Sequence, residues 1–267
     1  MFTIVIPSYN GEKYIFKTID SILQQTFRDF EIILIDDASK DGTVNMVRSR
    51  YPTEVKIIEK KINQGLAKNI NEAVSQAKGE LIICLGQDDV LDKNHLNKIK
   101  DVFLDENVTI CHNASKILSP TDIVGDYFIS PSKIIKVTNN YRYEMSKRNI
   151  FQSCGLCFRK SVFLSVSGWD ESYKLYGEWL VYLKIASAGK LVFIPDIISF
   201  YRRHDSNITN TFNTIASYID RRRYFIKCRK AALTLNDFNL TEKIKLNIFY
   251  FLYDFRIIGR ILYEKIF

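Results

Sequence analysis

Residues 81 to 92 read "LIICLGQDDVLD", an apolar run that ends in two adjacent carboxylates, Asp88 and Asp89. Such neighbours repel unless a cation or hydrogen bonds hold them. Hard cations such as Mg²⁺ or Mn²⁺ take oxygen ligands, often one or two carboxylates plus substrate phosphates. The plainer alternative is a helix cap, with Asp89 or Asp92 opening the next helix. Asp36 and Asp37 end a second apolar run, FEIILI, and start "DDASKDGT". They could close a turn, or accept hydrogen bonds from a nucleobase edge or a ribose hydroxyl. Asn63-Gln64-Gly65 opens a helix with Lys68 in its first turn. A cation there opposes the helix dipole, and a phosphate would satisfy both; a solvated lysine is the simple alternative. Glu178 stands near the start of an otherwise apolar helix, as a first-turn acid or as a carboxylate base in a cleft. Tyr201-Arg202-Arg203-His204 ends a strand, as a surface basic patch or a diphosphate contact.

The elements that must position these groups alternate. Phe2 to Ile6, Phe30 to Ile35, Val55 to Ile58 and Leu81 to Leu85 read as strands. Between and after them, helices are expected from Asn10 (a cap for Ile15, Ile19, Ile22 and Leu23), over Thr43 to Arg50, Gly65 to Lys78 and Lys93 to Leu104. This pattern predicts an α/β fold with a mostly parallel sheet covered by helices on both faces. Ligands of such sheets bind beyond the carboxyl ends of the strands. Those ends carry Pro7-Ser8-Tyr9-Asn10, Asp36-Asp37-Ala38-Ser39 and Gln87-Asp88-Asp89. Residues 107 to 160 mix short β-like runs with loops and a helix near 138 to 148. Tyr176 to Ser187 reads as a helix with Trp179, Tyr182, Leu183 and Ala186 on one side. Leu191 to Ile194 and Ile198 to Tyr201 read as strands. Two long helices follow from about residue 210, with Asn236, Asp237 and Asn239 between them.

A chain of 267 residues, 46% hydrophobic and 25% charged, builds one large domain or a domain with an appendage, and is not disordered. Five cysteines, an odd number, point to reduced thiols in a cytoplasm. Cys154-Gly-Leu-Cys157 lacks the second pair of a zinc site, which leaves a redox role or a buried structural pair. The N-terminal stretch has no signal-peptide pattern, and no stretch of about 18 residues lacks charges, so neither a signal peptide nor a transmembrane helix is expected. The net charge of +8 lies mostly in the tail, where 11 Lys and Arg stand against 5 Asp and Glu from residue 210 onward. That tail includes Arg221-Arg222-Arg223, Lys227, Arg229 and Lys230, then "IKLNIFYFLYDFRIIGRILYEKIF". Apolar, aromatic and basic together, it suits the surface of an anionic membrane. Alternatively it packs on the rest of the chain or on a second subunit through Phe249, Leu252, Phe255 and Ile258. Nucleic acid is not an expected partner, because no recognition motif accompanies the charge.

Three blocks carry a family resemblance. "FTIVIPSYNGEKYIFKTIDSILQQTFRDFEIILIDDASKDGT" resembles the opening of glycosyltransferase family 2. "NQGLAKNINEAVSQAKGELIICLGQDDVLD" and "GWDESYKLYGEWLVYLKIASAGKLVFIPDIISFYRRHDSN" are similar to its later blocks. The resemblance runs over roughly residues 2 to 207, in order. It implies the GT-A fold, with a catalytic domain over 1–209 and a basic amphipathic helical extension over 210–267. The nucleotide-sugar half would be about 1–105 and the acceptor half about 106–209. It implies that Pro7, Tyr9 and Asp37 line the nucleoside pocket, with Asp37 reading the base. Asp88 would touch the ribose, Asp89 would hold Mn²⁺ or Mg²⁺ on the diphosphate, and Lys68, Arg202 and His204 would face the phosphates.

Two positions depart from the family pattern. Gly86 stands where the metal motif often has a first Asp, and Gly177-Glu178 where Glu-Asp is usual. Aligning Trp179 with the aromatic that often follows makes Glu178 the general base, with Asp170 the second choice. The resemblance thus implies an inverting hexosyltransferase. It would move sugar from a nucleotide-diphosphate donor to a hydroxyl of a glycan or lipid-linked acceptor in bacterial surface polysaccharide synthesis. Such an enzyme would be cytoplasmic and peripheral on the inner face of the membrane, with the tail offering the contact for a homo-oligomer. The alternative is a catalytically inactive scaffold subunit of a polysaccharide assembly. A nucleotidyltransferase would need a Gly-rich loop after the first strand, and a Rossmann dehydrogenase GxGxxG; Pro7-Ser8-Tyr9-Asn10 is neither.

Overall fold

The computed structural model describes residues 1–130, 141–207 and 215–266. Strands β1 (Phe2–Ser8), β2 (Phe30–Asp36), β3 (Val55–Glu59) and β4 (Leu81–Cys84) pair in parallel in the order β3-β2-β1-β4. Helices α1 (Ile15–Leu23), α2 (Thr43–Arg50) and α3 (Leu66–Gln76) connect them. Alternate side chains sort to opposite faces. Ile4, Ile6, Ile32 and Leu34 bury against α1 and α2, while Val5, Ile33 and Ile35 bury against α3. Each such side chain contributes roughly 1.5–3 kcal/mol, and a slip of one residue would swap both sets between two different helix layers.

The second half contains β5 (Val90–Leu91), α4 (His95–Ile99), a 3₁₀ turn (Lys100–Leu104), β6 (Val108–Leu118) and β7 (Val124–Ile129). It continues with α5 (Tyr141–Lys147), β8 (Cys157–Arg159), α6 (Lys160–Ser165), a second 3₁₀ turn (Glu171–Tyr176), α7 (Gly177–Ser187) and β9 (Lys190–Arg202). The sheet extends as β4-β8-β6-β9-β5, with β7 on β6. The parallel expectation holds for the first four strands; beyond them the pairing is mixed. β8 runs antiparallel to β4 and β6, β9 runs parallel to β6, and β5 runs antiparallel to β9. These directions put the segment entering β8, the segment entering β5 and the end of β9 all at the carboxyl edge of β1 and β4. Where two strands were expected, β9 is one. Asn113 pairs with Ile194 and Ala114 with Ile198, so Pro195 to 197 bulge out, which suits a residue that cannot donate to a ladder.

Helices α8 (Ile215–Leu235) and α9 (Leu240–Ile266) end the chain. They lie against the α5 and α7 layer: Phe225 and Cys228 meet Trp179 and Leu180, and Phe238, Leu246 and Tyr250 meet Tyr143. This explains why α7 is apolar on all sides. On α9 the packed positions are Leu246, Phe249 and Tyr250. Of the expected set, Phe249 packs, Leu252 and Phe255 are exposed, and the Ile258 side chain lies outside the described residues. The expected helix near 138 to 148 begins at Tyr141, with 138–140 outside the described residues.

Candidate active site

The site is built where strands stop. β1 delivers Pro7, Ser8 and Tyr9, and β4 delivers Gly86 to Asp89. Gln87 joins the two: its Oε1 accepts from Ser8 Oγ (2.8 Å) and the Tyr9 N–H (3.0 Å), and its Nε2 donates to the Tyr9 carbonyl (3.1 Å). Tyr9 itself is 46% exposed at the rim. Asn10 does not cap α1. It takes a left-handed φ of 51° and its Oδ1 accepts the Lys40 N–H at 2.8 Å, so it ties the β1 loop to the β2 loop.

Asp36 turns inward to hold Ser39. Asp37 is 6% exposed, and its carboxylate accepts the Gln64 N–H (2.7 Å) and the Gly65 N–H (3.0 Å) at the start of α3. The anion that the α3 N-terminus calls for is thus Asp37 itself. Each carboxylate oxygen keeps a second lone pair. Lys68 stands exposed one turn further on. An open cleft of about 500 Å³ lies beside these strand ends, lined by Ala38, Ser39, Lys40, Glu59, Lys60 and Lys61.

Asp88 and Asp89 are fixed from one side each. Asp88 Oδ2 meets His204 Nε2 (2.7 Å) and accepts from Asn207 Nδ2 (3.3 Å). His204 stacks on Tyr14, ring centroids 4.9 Å apart. Asp89 Oδ1 accepts the Arg202 backbone N–H at 3.0 Å, and the Cys154 thiol also bonds this carboxylate. The opposite oxygens, Asp88 Oδ1 and Asp89 Oδ2, converge on Gly86: both lie 2.9 Å from where a Cβ on that residue would sit. Gly86 therefore keeps clear a corner that two carboxylate oxygens border. Burial, then the neighbouring Asp88 charge, hold the Asp89 carboxyl well above the usual carboxylate range. Such a pair favours a proton unless positive charge occupies the corner. Two hard oxygens with room for phosphate oxygens fit a Mg²⁺- or Mn²⁺-like cation. Among the described residues no cluster of three His, Cys, Asp or Glu could hold a metal unaided, so substrate oxygens would complete the shell.

Arg202 is placed differently from a phosphate contact. It is fully buried, its guanidinium lies over Tyr14 (4.7 Å), and it donates to the Asp88 carbonyl (2.8 Å), the Ser119 carbonyl (2.9 Å) and Asp122 Oδ1 (2.7 Å). It clamps the β6–β7 turn to the carboxylate loop.

Glu178, in the first turn of α7, accepts a hydrogen bond from Ser153 Oγ. Burial lifts its carboxyl to about 7, against which the Ser153 bond pulls downward. Ser153 and Cys154 are consecutive, so one turn touches both the Glu178 and the Asp89 carboxyls. Gly177 leaves no room for a side chain, because a Cβ would sit 2.2 Å from Trp169 Nε1. Asp170 is exposed and accepts the Ser172 N–H at 2.9 Å, as a turn cap. Ser153 and Asn207 were not singled out from sequence; Cys154 was read only as half of a CxxC pair, and Gln87 only as part of the strand end that carries the two acids. All five cysteines are buried and none is bridged.

The family model described as Glycosyl transferase family 2 matches residues 3–164. An uncharacterised glycosyltransferase of Rickettsia typhi is 28% identical over 237 residues, covering 82% of this chain and 69% of that protein. The Escherichia coli protein WfgD, a UDP-Glc:alpha-D-GlcNAc-diphosphoundecaprenol beta-1,3-glucosyltransferase, is 31% identical over 134 residues, half of this chain and 53% of its own. Staphylococcus aureus TarS residues 1–349 superpose with a TM-score of 0.70 at 20% identity, covering 94% of this chain and 70% of that one. The mannosyltransferase PcManGT of Pyrobaculum calidifontis, in complex with GDP-Man and Mn²⁺, gives 0.68 at 19% identity over 94% and 69%. The architecture is the GT-A fold these transferases share. With more than half its length matched by the family model, the chain belongs to glycosyl transferase family 2.

Proposed function

We propose that this glycosyltransferase moves a hexosyl group, with inversion, from a nucleotide-diphosphate donor to a hydroxyl of a glycan or lipid-linked acceptor in surface polysaccharide synthesis. The observation that carries this reading is the convergence of Asp88 Oδ1 and Asp89 Oδ2 on the corner beside Gly86, at the strand ends that also carry Tyr9 and Asp37. A divalent cation held there by Asp89 and Asp88 would neutralise charge growing on the leaving diphosphate. Tyr9, Pro7 and Asp37 bind and orient the nucleoside, and Lys68 meets the phosphates from the first turn of α3. His204 holds Asp88 in position. Glu178, whose carboxyl burial lifts to about 7, takes the proton of the acceptor hydroxyl in its ionised form. The hydroxyl oxygen bonds to the anomeric carbon from the far side as the bond to the diphosphate breaks, so the configuration inverts without a covalent enzyme intermediate.

The inactive-scaffold reading is not favoured: Asp88, Asp89 and Glu178 are all present, only Gly177 is sterically closed to a side chain, and the relatives include the glucosyltransferase WfgD. WfgD uses UDP-Glc by name and TarS has been solved with UDP-GlcNAc, which makes UDP-hexoses the first donors to test. A diphosphoundecaprenol-linked acceptor, as in WfgD, would keep the enzyme at the cytoplasmic face of the membrane. Calorimetry with UDP, GDP and dTDP, with and without Mn²⁺, on wild type and Asp89→Asn tests the reading. One nucleotide is expected to bind in a metal-dependent way and to lose affinity in the variant. No binding of any nucleotide refutes it.

A further inference from the structure

Helix α9 is apolar on two opposite faces, and among the described residues only one of them has a partner. Leu246, Phe249 and Tyr250 face the α5 and α8 layer. Tyr250 Oη donates to the Ser146 carbonyl at 2.7 Å, and Asp254 pairs with Arg229 at 2.9 Å. About half a turn round the helix, at 100° per residue, runs a second stripe: Leu240, Ile244, Ile248, Phe251, Leu252 and Phe255. These are 50% to 75% exposed. An apolar stripe this long on a water-facing helix implies a cover.

Charge decides between the possible covers. Exposed Lys243, Lys245 and Arg256 border the stripe, and α8, packed on the other face of α9, adds exposed Arg223, Lys227 and Lys230 to the same basic tail. A second copy of this chain docked stripe to stripe would bring like charges together. An anionic surface would not. Among the described residues no helix is long and apolar enough to cross a membrane, so the stripe lies along a surface rather than through it. We propose that the exposed face of α9 is a docking surface for an anionic lipid bilayer, with Phe251 and Phe255 inserted among the acyl chains and the flanking bases on the headgroups. This deepens the lipid-linked-acceptor reading, and rests on it only for its purpose.

The test is co-sedimentation of the full chain with vesicles of phosphatidylcholine alone and of phosphatidylcholine with 30% (about one lipid in three) phosphatidylglycerol. Binding is expected to the anionic vesicles only, and to fall by roughly fivefold for each base removed in Lys243→Gln/Lys245→Gln. Phe251→Ser/Phe255→Ser, at exposed positions, should lose at least about tenfold with its melting temperature unchanged. No binding by wild type, or undiminished binding by the Phe variant, overturns the proposal. So does a dimer in light scattering that the Phe variant splits. Nucleotide titration of the same variant reads the donor site separately: intact nucleotide binding with lost vesicle binding supports the surface, and failure of nucleotide binding in wild type counts against the donor reading alone.

Discussion

Removing one hydroxyl should move the pH profile of the enzyme. Ser153 Oγ donates to Glu178, and burial already lifts that carboxyl to about 7. The hydrogen bond stabilises the ionised form, which is the form a base needs. Ser153→Ala therefore raises the pKa. A hydrogen bond to a charged group contributes about 1.5–3 kcal/mol, and one pH unit corresponds to about 1.4 kcal/mol, so the midpoint should climb by about 1–2 units. At pH near 7 the wild type is about half ionised; the variant would be ionised in roughly 1–10% of molecules, and kcat would drop about 5–50-fold. At about pH 9 roughly half to nine-tenths of the activity should return. The assay is release of nucleoside diphosphate at saturating donor and acceptor, from about pH 5.5 to about pH 9.5. Ser153→Thr keeps the hydroxyl and should keep the wild-type midpoint. An unmoved midpoint in Ser153→Ala, or a loss equal at every pH, refutes the assignment of Glu178 as a base tuned by Ser153.

Glu178→Gln should lower kcat by about 10²–10⁴-fold while stabilising the fold. Because the folded pKa is raised from 4.5 to about 7, wild-type stability falls as pH rises through that window. Urea titration should show the variant gaining up to about 2–3 kcal/mol at pH 8 relative to pH 4 or so. Gly86→Ala places a Cβ 2.9 Å from two carboxylate oxygens. It should weaken Mn²⁺-dependent nucleotide binding about 10–100-fold in calorimetry and leave metal-free binding unchanged. Arg202→Lys cannot reach Ser119, Asp122 and the Asp88 carbonyl together, so it should cost about 2–3 kcal/mol and roughly 5–10 °C in Tm, whereas exposed Arg203→Lys should cost under about 0.5 kcal/mol.

The first four strands and α2 were legible because their signals are local. Nearly continuous apolar strands such as Phe30–Asp36, cut by turn-forming residues, have one reading. The helices after Val108 were legible too, but its strands were not, because β6, β8 and β9 depend on partners distant in sequence: three-residue β8 is a strand only between β4 and β6. The acids of the site could be picked out, since carboxylates at apolar strand ends are conspicuous. Their directions could not. Asp37 turning to Gln64 and Gly65, or Arg202 burying its guanidinium under Tyr14, follows from which loop lies opposite. Ser153 was silent in sequence, being 25 residues from the carboxyl it touches.

Gln87 has a thermodynamic consequence. Through three hydrogen bonds it fastens the loop of Tyr9 to the loop of Asp88 and Asp89, so neither loop can shift without the other. Whatever free energy a nucleoside spends ordering the first loop is then already spent when a cation reaches the second, and the reverse holds equally. Base and metal affinities become linked quantities, and a donor with the wrong base would be penalised at the diphosphate, away from the atoms that distinguish it.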